Sequence, residues 1–120
     1  MKTKRDPNAP GPHSAKSCRE LLQMMPKGFS PLAANGLTAV YQFEVSGSED
    51  FTAHLSIDGQ TCTYVDGPAD RPDVIIKTPA DVWLAISKGE MNGQLAFMTR
   101  KFKVEGNPGL VLKLPDLFPR

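Results

Sequence analysis

The sequence has few of the features that mark a metal site, a membrane-spanning protein or a recognisable enzyme. Its 120 residues include two cysteines and two histidines, and Cys18 and Cys62 lack the short spacing of metal ligands. No apolar run approaches the roughly 20 residues that span a bilayer. The chain contains no nucleophile elbow, phosphate-binding loop or paired-carboxylate motif. We therefore predict a non-catalytic protein without a metal or cofactor.

The chain also has almost no net charge. Its formal net charge is +1, whereas domains that bind nucleic acid usually carry a clear basic excess. Hydrophobic residues make up 40% and charged residues 22% of the chain, as in an ordinary globular domain. The early basic residues are not followed by an apolar run, so no secretory signal is predicted. The lack of a predicted secretory signal and the two cysteines, which are expected to be reduced, together predict a cytoplasmic protein.

The first residues differ in composition from the rest. Residues 1–13 are polar, rich in proline and without hydrophobic periodicity, which predicts a disordered tail. Residues 14–120 carry regular apolar patterns and suit a single domain with one core.

Two short helical segments open this domain. Ser17 and Glu20 have the spacing of a capping box ahead of an apolar run, and Pro26 would end that helix. The Ser-Pro pair at 30–31 predicts a second helical turn, with proline at its first position.

The middle of the sequence has the two-residue period of β-strands. In TAVYQFEV and DFTAHLSID, apolar residues alternate with polar ones, and His54 falls on the polar face. Asp58-Gly59 is a strong hairpin signal, and a turn at those two residues would place Leu55 opposite Cys62. These segments predict an antiparallel meander with one apolar face and one wet face.

A fourth strand, VIIKT, leads into a helix. Thr78 is predicted as its N-cap, and Gly89 as the left-handed residue after its last turn. A short helix is then predicted at 92–98, with Leu95 and Met98 as buried residues.

The C-terminal segment changes its period in the middle. Phe102 and Val104 alternate with charged residues as in a half-buried strand, and GNPG follows. GNPG is compatible with a hairpin turn that sends the chain back as a strand, or with a helix capped by Asn107 that has Pro108 at its first position. The helical spacing favours the second alternative. The residues at that spacing are Leu110, Leu114, Leu117 and Phe118.

Three blocks of sequence, in this order, resemble the sterol carrier protein type-two (sterol-binding) domain family. They are FSPLAANGLTAVYQFEVSG, PDVIIKTPADVWLAISKGE and QLAFMTRKFKVEGNPGLVLKL. The resemblance runs from about Phe29 to Phe118. The long N-terminal helix of the animal members is reduced here to two short pieces, and their peroxisomal ending is missing, which suggests a stand-alone prokaryotic-type member. Arg100 stands where the family often has glycine.

The resemblance implies an α+β fold, with a five-stranded, largely antiparallel sheet covered on one face by helices and an apolar tunnel between the layers. It also implies a helix after GNPG and gives the apolar C-terminal segment a role as a wall or lid of that tunnel. The implied function is non-catalytic binding and transfer of lipids, such as fatty acyl chains, acyl-CoA, phospholipid or sterol-like molecules.

Two sets of residues are predicted to contact such a ligand. The tunnel lining is predicted to comprise Phe43, Val45, Phe51, Leu55, Ile57, Trp83, Ile86, Met91, Leu95, Phe97, Met98, Leu110, Leu114 and Phe118. The headgroup or membrane contacts are predicted to be Arg100, Lys101, Lys103 and Lys113. An alternative function is an accessory module that docks on a lipid-metabolising enzyme, or that dimerises through its apolar C-terminal segment.

Overall fold

The computed structural model describes residues 15–119. The predicted tail at 1–13 and the first and last residues of the predicted domain lie outside the described residues. The elements, in chain order, are α1 (Cys18–Met24), a 3₁₀ turn (Met25–Gly28), α2 (Pro31–Ala34), β1 (Thr38–Ser46), β2 (Phe51–Asp58), β3 (Cys62–Asp66), β4 (Val74–Pro79), α3 (Ala80–Ser87), α4 (Gly93–Met98), β5 (Lys103–Gly106), α5 (Pro108–Leu112) and α6 (Leu114–Leu117).

The five strands form one mixed sheet in the order β3-β2-β1-β4-β5. β1–β2, β2–β3 and β4–β5 are antiparallel, while β1 and β4 are parallel. One face of central β1 is fully buried because Tyr41, Phe43 and Val45 lie in the core with the helices. On the other face Gln42 is buried by a loop, whose Ala69 backbone N–H donates to Gln42 Oε1 at 2.9 Å. The α+β class and the five-stranded sheet predicted from the sequence are confirmed.

The β2–β3 hairpin has a different register from the predicted one. Leu55 lies opposite Tyr64, and Cys62 lies opposite Ile57. The partner of Leu55 has therefore moved along β3 by two residues. A shift of two preserves the face on which each side chain lies, so the apolar pairing survives although the predicted partner was wrong.

The side chain of Asp58 explains this register. Its Oδ1 accepts hydrogen bonds from the backbone N–H groups of Gln60 (3.2 Å) and Thr61 (2.9 Å), and Asp58 N–H donates to the Thr61 carbonyl at 3.1 Å. Asp58 is thus the first residue of the turn. Gly59, with φ of 95°, supplies the positive φ that the next position requires.

The start of α3 also differs from the prediction. Thr78 is not the N-cap: it pairs with Val45 inside the sheet, is buried, and donates its hydroxyl to the Pro79 carbonyl at 2.9 Å. Because β4 continues to Pro79, that proline is the N-cap and contributes no side-chain hydrogen bond. The predicted left-handed residue after α3 is confirmed, since Gly89 has φ of 81°.

The predicted caps of the other helices are confirmed. The Ser17 hydroxyl accepts from Glu20 N–H at 3.0 Å, and the Ser30 hydroxyl accepts from Ala33 N–H at 3.2 Å. Asn107 caps α5 by accepting from Gly109 N–H at 2.9 Å. The segment after GNPG is therefore helical.

The buried face of α4 is not the predicted one. Leu95 and Met98 are 59% and 69% exposed, whereas Ala96 is buried. Ala96 also accepts a backbone hydrogen bond from Lys101 at 2.8 Å. Because this helix of six residues turns Ala96 inward, the larger side chains on either side of it remain in solvent.

Candidate functional site

An apolar cavity of about 960 Å³ opens among the helices. Its walls come from α1 and the 3₁₀ turn, from α3, from the loop between α3 and α4, and from the C-terminal helices α5 and α6. The lining residues are Leu21, Met25, Trp83, Ile86, Ser87, Gly89, Glu90, Met91, Asn92, Gly93, Gln94, Phe97, Phe102, Pro108, Val111, Leu112, Leu114, Pro115, Phe118 and Pro119.

Aromatic rings connect the sheet to this cavity. Trp83 is buried and packs edge-on against Phe43 of β1, with ring centroids 5.2 Å apart. It also packs edge-on against Phe102 at 5.7 Å, and Phe102 contacts Phe97 at 5.7 Å. These edge-to-face arrangements are favourable for aromatic pairs. Of these four rings, those of Trp83, Phe97 and Phe102 belong to residues that line the cavity, and that of Phe43 does not.

Trp83 carries the one buried side-chain polar atom that lacks a hydrogen-bond partner within residues 15–119. Its indole Nε1 is fully enclosed, with no acceptor among those residues. A buried donor of this kind usually has a partner, because leaving it unpaired is costly. The residue that carries this N–H is also one of the residues that line the cavity.

The C-terminal wall is attached to the rest of the fold at three points. The Tyr41 hydroxyl of β1 donates to the Leu110 carbonyl at 2.8 Å, and Ser30 N–H donates to the Leu117 carbonyl at 2.8 Å. The rings of Phe29 and Phe118 lie 5.8 Å apart. Since α5 and α6 have only five and four residues, these contacts rather than helix propensity hold the wall in place.

The polar lining residues are grouped in and around the loop that joins α3 to α4. They include Ser87, Glu90 and Asn92, of which Glu90 is exposed and is the cavity's one charged lining residue. Asn92 is committed to capping α4, because its Oδ1 accepts from Leu95 N–H at 2.9 Å. The cavity thus has an apolar body and a polar edge, the arrangement that binds an amphipathic ligand.

Six residues of the predicted lining lie on the cavity wall. They are Trp83, Ile86, Met91, Phe97, Leu114 and Phe118. They come from α3, from α4 and the loop before it, and from α6 and the residue that follows it.

The other eight predicted lining residues are placed elsewhere. Phe43, Val45, Leu55 and Ile57 are buried in the core on the sheet, beneath the aromatic layer, and Phe51 lies under the Arg19 guanidinium at 4.3 Å. Leu110 is buried where α5 meets Tyr41, while Leu95 and Met98 face solvent. The observed cavity is therefore walled by helices and loops, and a tunnel between sheet and helices stays a prediction.

Sequence reasoning missed the wall contributed by α1 and the 3₁₀ turn, and by Phe102, which precedes β5. Leu21 and Met25 were recognisable as the apolar face of α1 and the residues after it, and Phe102 as the apolar face of a strand. Their patterns show only that they are buried on a face. Nothing in the pattern tells whether they meet a neighbour or a cavity.

The four predicted headgroup residues lie outside the cavity lining. Arg100, Lys101, Lys103 and Lys113 are all exposed, and none forms an ion pair within the described part of the chain. Arg100 has φ of 62° and itself adopts the left-handed conformation at the end of α4.

Cys18 is buried, and Cys62 and His54 are half-buried. Burial raises the pKa of Cys18 and of Cys62 to about 12, so both thiols are neutral at physiological pH. His54, expected to be exposed, is half-buried with Nδ1 2.9 Å from the Gly67 carbonyl. Residues 15–119 hold no group of three or more His, Cys, Asp or Glu side chains suited to a metal ion. None of the helices described is long and apolar enough to cross a membrane.

Comparison with known proteins identifies relatives for most of the chain. The profile described as the SCP-2 sterol transfer family matches residues 22–119. Hydroxysteroid dehydrogenase-like protein 2 of Mus musculus is 31% identical over 99 residues, 82% of this chain and 20% of that protein. The bovine (Bos taurus) protein of the same name is 35% identical over 80 residues, 66% of this chain and 19% of that protein. The chain thus spans about a fifth of these curated relatives.

Solved structures share the fold at low sequence identity. The palmitated SCP2L2 protein of Aedes aegypti superposes with a TM-score of 0.66 at 18% identity, covering 86% of this chain and 92% of that one. The sec-alkylsulfatase Pisa1 of Pseudomonas sp. gives a TM-score of 0.74 at 14% identity, covering 84% of this chain and 16% of the enzyme. The same fold therefore occurs both as an independent protein and as part of a larger enzyme.

Proposed function

Because this chain belongs to the SCP-2 sterol transfer family, we propose that it binds and transfers lipids. The hydrocarbon part of the lipid occupies the cavity between α3 and the C-terminal helices. The ligand classes are fatty acyl chains, acyl-CoA, phospholipids and sterol-like molecules. The protein does no chemistry on the ligand. A cytoplasmic location stays a prediction.

The observation that carries this proposal is a large apolar cavity within so small a domain. Protein interiors are normally close-packed, with few voids larger than a water molecule. Sites for small organic ligands occupy about 300–1,000 Å³, and this cavity has about 960 Å³. Each buried CH₂ group contributes roughly 0.8 kcal/mol, so an acyl chain of about 16 carbons gains on the order of 12 kcal/mol before ordering costs.

The lining supports a ligand with one polar end. The body of the cavity is formed by side chains such as Ile86, Met91 and Val111, while Ser87 and Glu90 lie at its polar edge. Methionine thioethers adapt to irregular shapes, which suits a site that admits varied chains.

Trp83 provides the direct test of binding. It is the chain's single tryptophan, and it lines the cavity. Titration with cis-parinaric acid, a fluorescent fatty acid, is expected to quench Trp83 emission by energy transfer in a saturable way. Palmitic acid should then restore that emission by competition.

A matched pair of variants makes the test specific. Val111→Asp places a carboxylate in the apolar wall and should weaken parinaric acid binding by at least tenfold. Val65→Asp makes the same change on β3, where Val65 is exposed and does not line the cavity, and should leave binding unchanged. Circular dichroism would verify that both variants fold. Absence of saturable quenching in the native protein, or equal binding by the two variants, would contradict the proposal.

One observation favours a second function, as an accessory module of an enzyme. The curated relatives that the chain matches are dehydrogenase-like proteins, and the matched region is about a fifth of each. In this alternative the domain presents lipid to a catalytic partner, or pairs with a second copy through the C-terminal segment. In that segment Leu112 is exposed, whereas Leu110, Leu114 and Leu117 are buried in the core of the domain.

Light scattering after size exclusion tests whether the chain pairs with a second copy. A dimer that Leu112→Ser converts to a monomer would support it. A monomer at all concentrations would contradict self-association through the C-terminal segment.

A further inference from the structure

Helix α4 presents apolar side chains to solvent next to a cluster of cations. Leu95 and Met98 are 59% and 69% exposed, and their spacing of three residues places them on one face of the helix. Arg100, Lys101 and Lys103 follow directly and are exposed. These five residues are called the α4 surface below.

The cations of the α4 surface are not neutralised by the protein. Within residues 15–119, ion pairs join Arg19 to Asp66 at 2.7 Å, and Lys77 to Glu105 at 2.7 Å and to Glu44 at 3.9 Å. Arg100, Lys101 and Lys103 have no such partner within residues 15–119. No acidic residue occurs from 91 to 104. The segment therefore offers a local excess of positive charge in a chain whose formal net charge is +1.

The backbone fixes the first two cations at the end of the helix that carries the exposed apolar pair. Arg100 N–H donates to the Phe97 carbonyl at 3.1 Å, and Lys101 N–H donates to the Ala96 carbonyl at 2.8 Å. With Arg100 in the left-handed conformation, these bonds terminate the helix and turn the chain sharply. Arg100 and Lys101 are thus held directly after α4, and Lys103 follows as the first residue of β5.

The α4 surface adjoins the opening of the cavity. Phe97 lies between Leu95 and Met98 in sequence, is 39% exposed, and also lines the cavity. On the C-terminal wall, Leu112 combines the same two properties with 67% exposure, and Lys113 follows it in solvent. Exposed apolar side chains followed by cations therefore occur on two elements that border the cavity.

We propose that the α4 surface docks on an anionic phospholipid bilayer, with Leu95 and Met98 entering the interface and the cavity opening facing the membrane. The proposal rests on the proposed function for its purpose, lipid exchange. Its physical basis is separate. Apolar side chains gain by entering the acyl boundary, and cations are attracted by the negative surface potential of anionic lipids.

The size of the surface favours a bilayer over a folded protein partner. A stable protein complex needs about 800 Å² from each partner, with a well-packed apolar centre. Two apolar side chains with three cations form a smaller, strongly basic surface, whereas charged residues are depleted at the centres of protein interfaces. The same composition suits weak, reversible binding at a membrane surface.

Flotation with vesicles tests the proposal on the whole chain. Vesicles of phosphatidylcholine alone are compared with vesicles containing about one-third phosphatidylserine, at low and at high salt. The native protein is expected to bind the anionic vesicles at least tenfold better, and salt should weaken that binding because it screens the cations. Equal binding to both vesicles, or none to either, would overturn the proposal.

Two pairs of variants assign the effect to this surface. Lys101→Glu with Lys103→Glu is expected to lower anionic vesicle binding by at least tenfold, whereas the charge-matched control Lys27→Glu with Arg71→Glu should change it less than twofold. Leu95→Ser with Met98→Ser should lower it by about fivefold, against no change for Leu32→Ser, the control at a 91% exposed leucine. Equal losses in test and control variants would contradict the assignment.

Two further measurements separate this proposal from the others. Parinaric acid binding in solution should be unchanged in the α4 variants. If vesicle binding fails while that binding persists, only the docking proposal is wrong. If the native protein docks but binds no fatty acid, only the proposed function is wrong. If sedimentation shows a dimer that Leu95→Ser with Met98→Ser dissociates, the surface is a protein interface and membrane docking is overturned.

Discussion

The sheet and the cavity wall are made of similar apolar residues but are packed in opposite ways. On the sheet, Phe43, Leu55 and Ile76 are completely buried and sit in a continuous ladder of paired strands. Around the cavity, Ile86 and Val111 are only half-buried, because one side of each borders open space. The closed region supplies the stability of the fold, and the open region supplies room for a ligand.

The difference follows from the local chain. The longest strands, β1 and β2, have nine and eight residues and are paired along their length. The cavity wall consists of helices of four to eight residues, which have little stability of their own. Prolines within or beside them, Pro108 and Pro115, prevent a longer helix from forming. A wall of short pieces can adjust around a ligand at small cost.

The largest expected effect is a contrast between two leucines. Leu55→Ala removes a completely buried side chain from β2 and should lower the free energy of unfolding by about 2–5 kcal/mol. Leu112→Ala, at a largely exposed position on the cavity rim, should change it by about 0.5 kcal/mol or less. Urea unfolding measures both. Equal costs would show that the two regions are not packed differently.

Bound ligand should stabilise the cavity wall more than the sheet. If the proposed function is right, a fatty acid at about 100 times its Kd raises the free energy of unfolding by about 2.7 kcal/mol. Hydrogen exchange should slow in the loop between α3 and α4 and in residues 108–118, and much less in β1 and β2. Slowing spread evenly over the chain would contradict a site confined to the helices.

A hydrogen bond that joins the two regions should have a smaller effect. Tyr41→Phe leaves the buried Leu110 carbonyl without its donor and should cost about 1–3 kcal/mol. Tyr64→Phe is the matched control, because the Tyr64 hydroxyl contacts exposed Asp66 at the surface, and should cost about 0.5 kcal/mol or less. The comparison is made by thermal unfolding. Similar losses in the two variants would mean that the Tyr41 bond does not hold the wall.

The smallest effect at neutral pH concerns the thiol in α1. Burial raises the pKa of Cys18 from 9.0 to about 12. The unfolded chain therefore loses this proton first as pH rises, and stability should fall between about pH 9 and pH 12. Below pH 9 there should be no effect.

The matched variant for this pH effect is Cys18→Ala. Its melting temperature should fall less steeply than that of the native protein across the same alkaline range. Parallel curves would show that Cys18 does not titrate differently in the two states.

Prediction from sequence succeeded at most places where neighbours along the chain decide the structure, and the turn that begins at Asp58 is the exception. The Ser17, Ser30 and Asn107 caps, the left-handed Gly89 and the helix after GNPG all depend on residues within a few positions. Prediction failed where a more distant contact intervened. Thr78 has the sequence of an N-cap, but pairing with β1 extends the strand through it. Leu95 and Met98 have the hydrophobicity of buried residues, but Ala96 takes the inward position.

The candidate site shows the same division. The sequence identified Trp83 and Phe118 as apolar residues of helices, and the fold brings both to the cavity; it identified Phe43 and Leu55 equally well, and the fold buries both in the core. Hydrophobicity reports that a side chain leaves water. It does not report whether protein atoms or empty space lie beside it.

Local sequence accounts for the order of the elements along the chain, for the faces that β1 and β2 bury and for the Ser17, Ser30 and Asn107 caps, because these depend on period and on local backbone chemistry. The tertiary structure decided the extension of β4 through Thr78, the placement of the α4 surface in solvent and the location of the cavity. Those features depend on how separate elements fit together, and a void is a property of the fit rather than of any one residue.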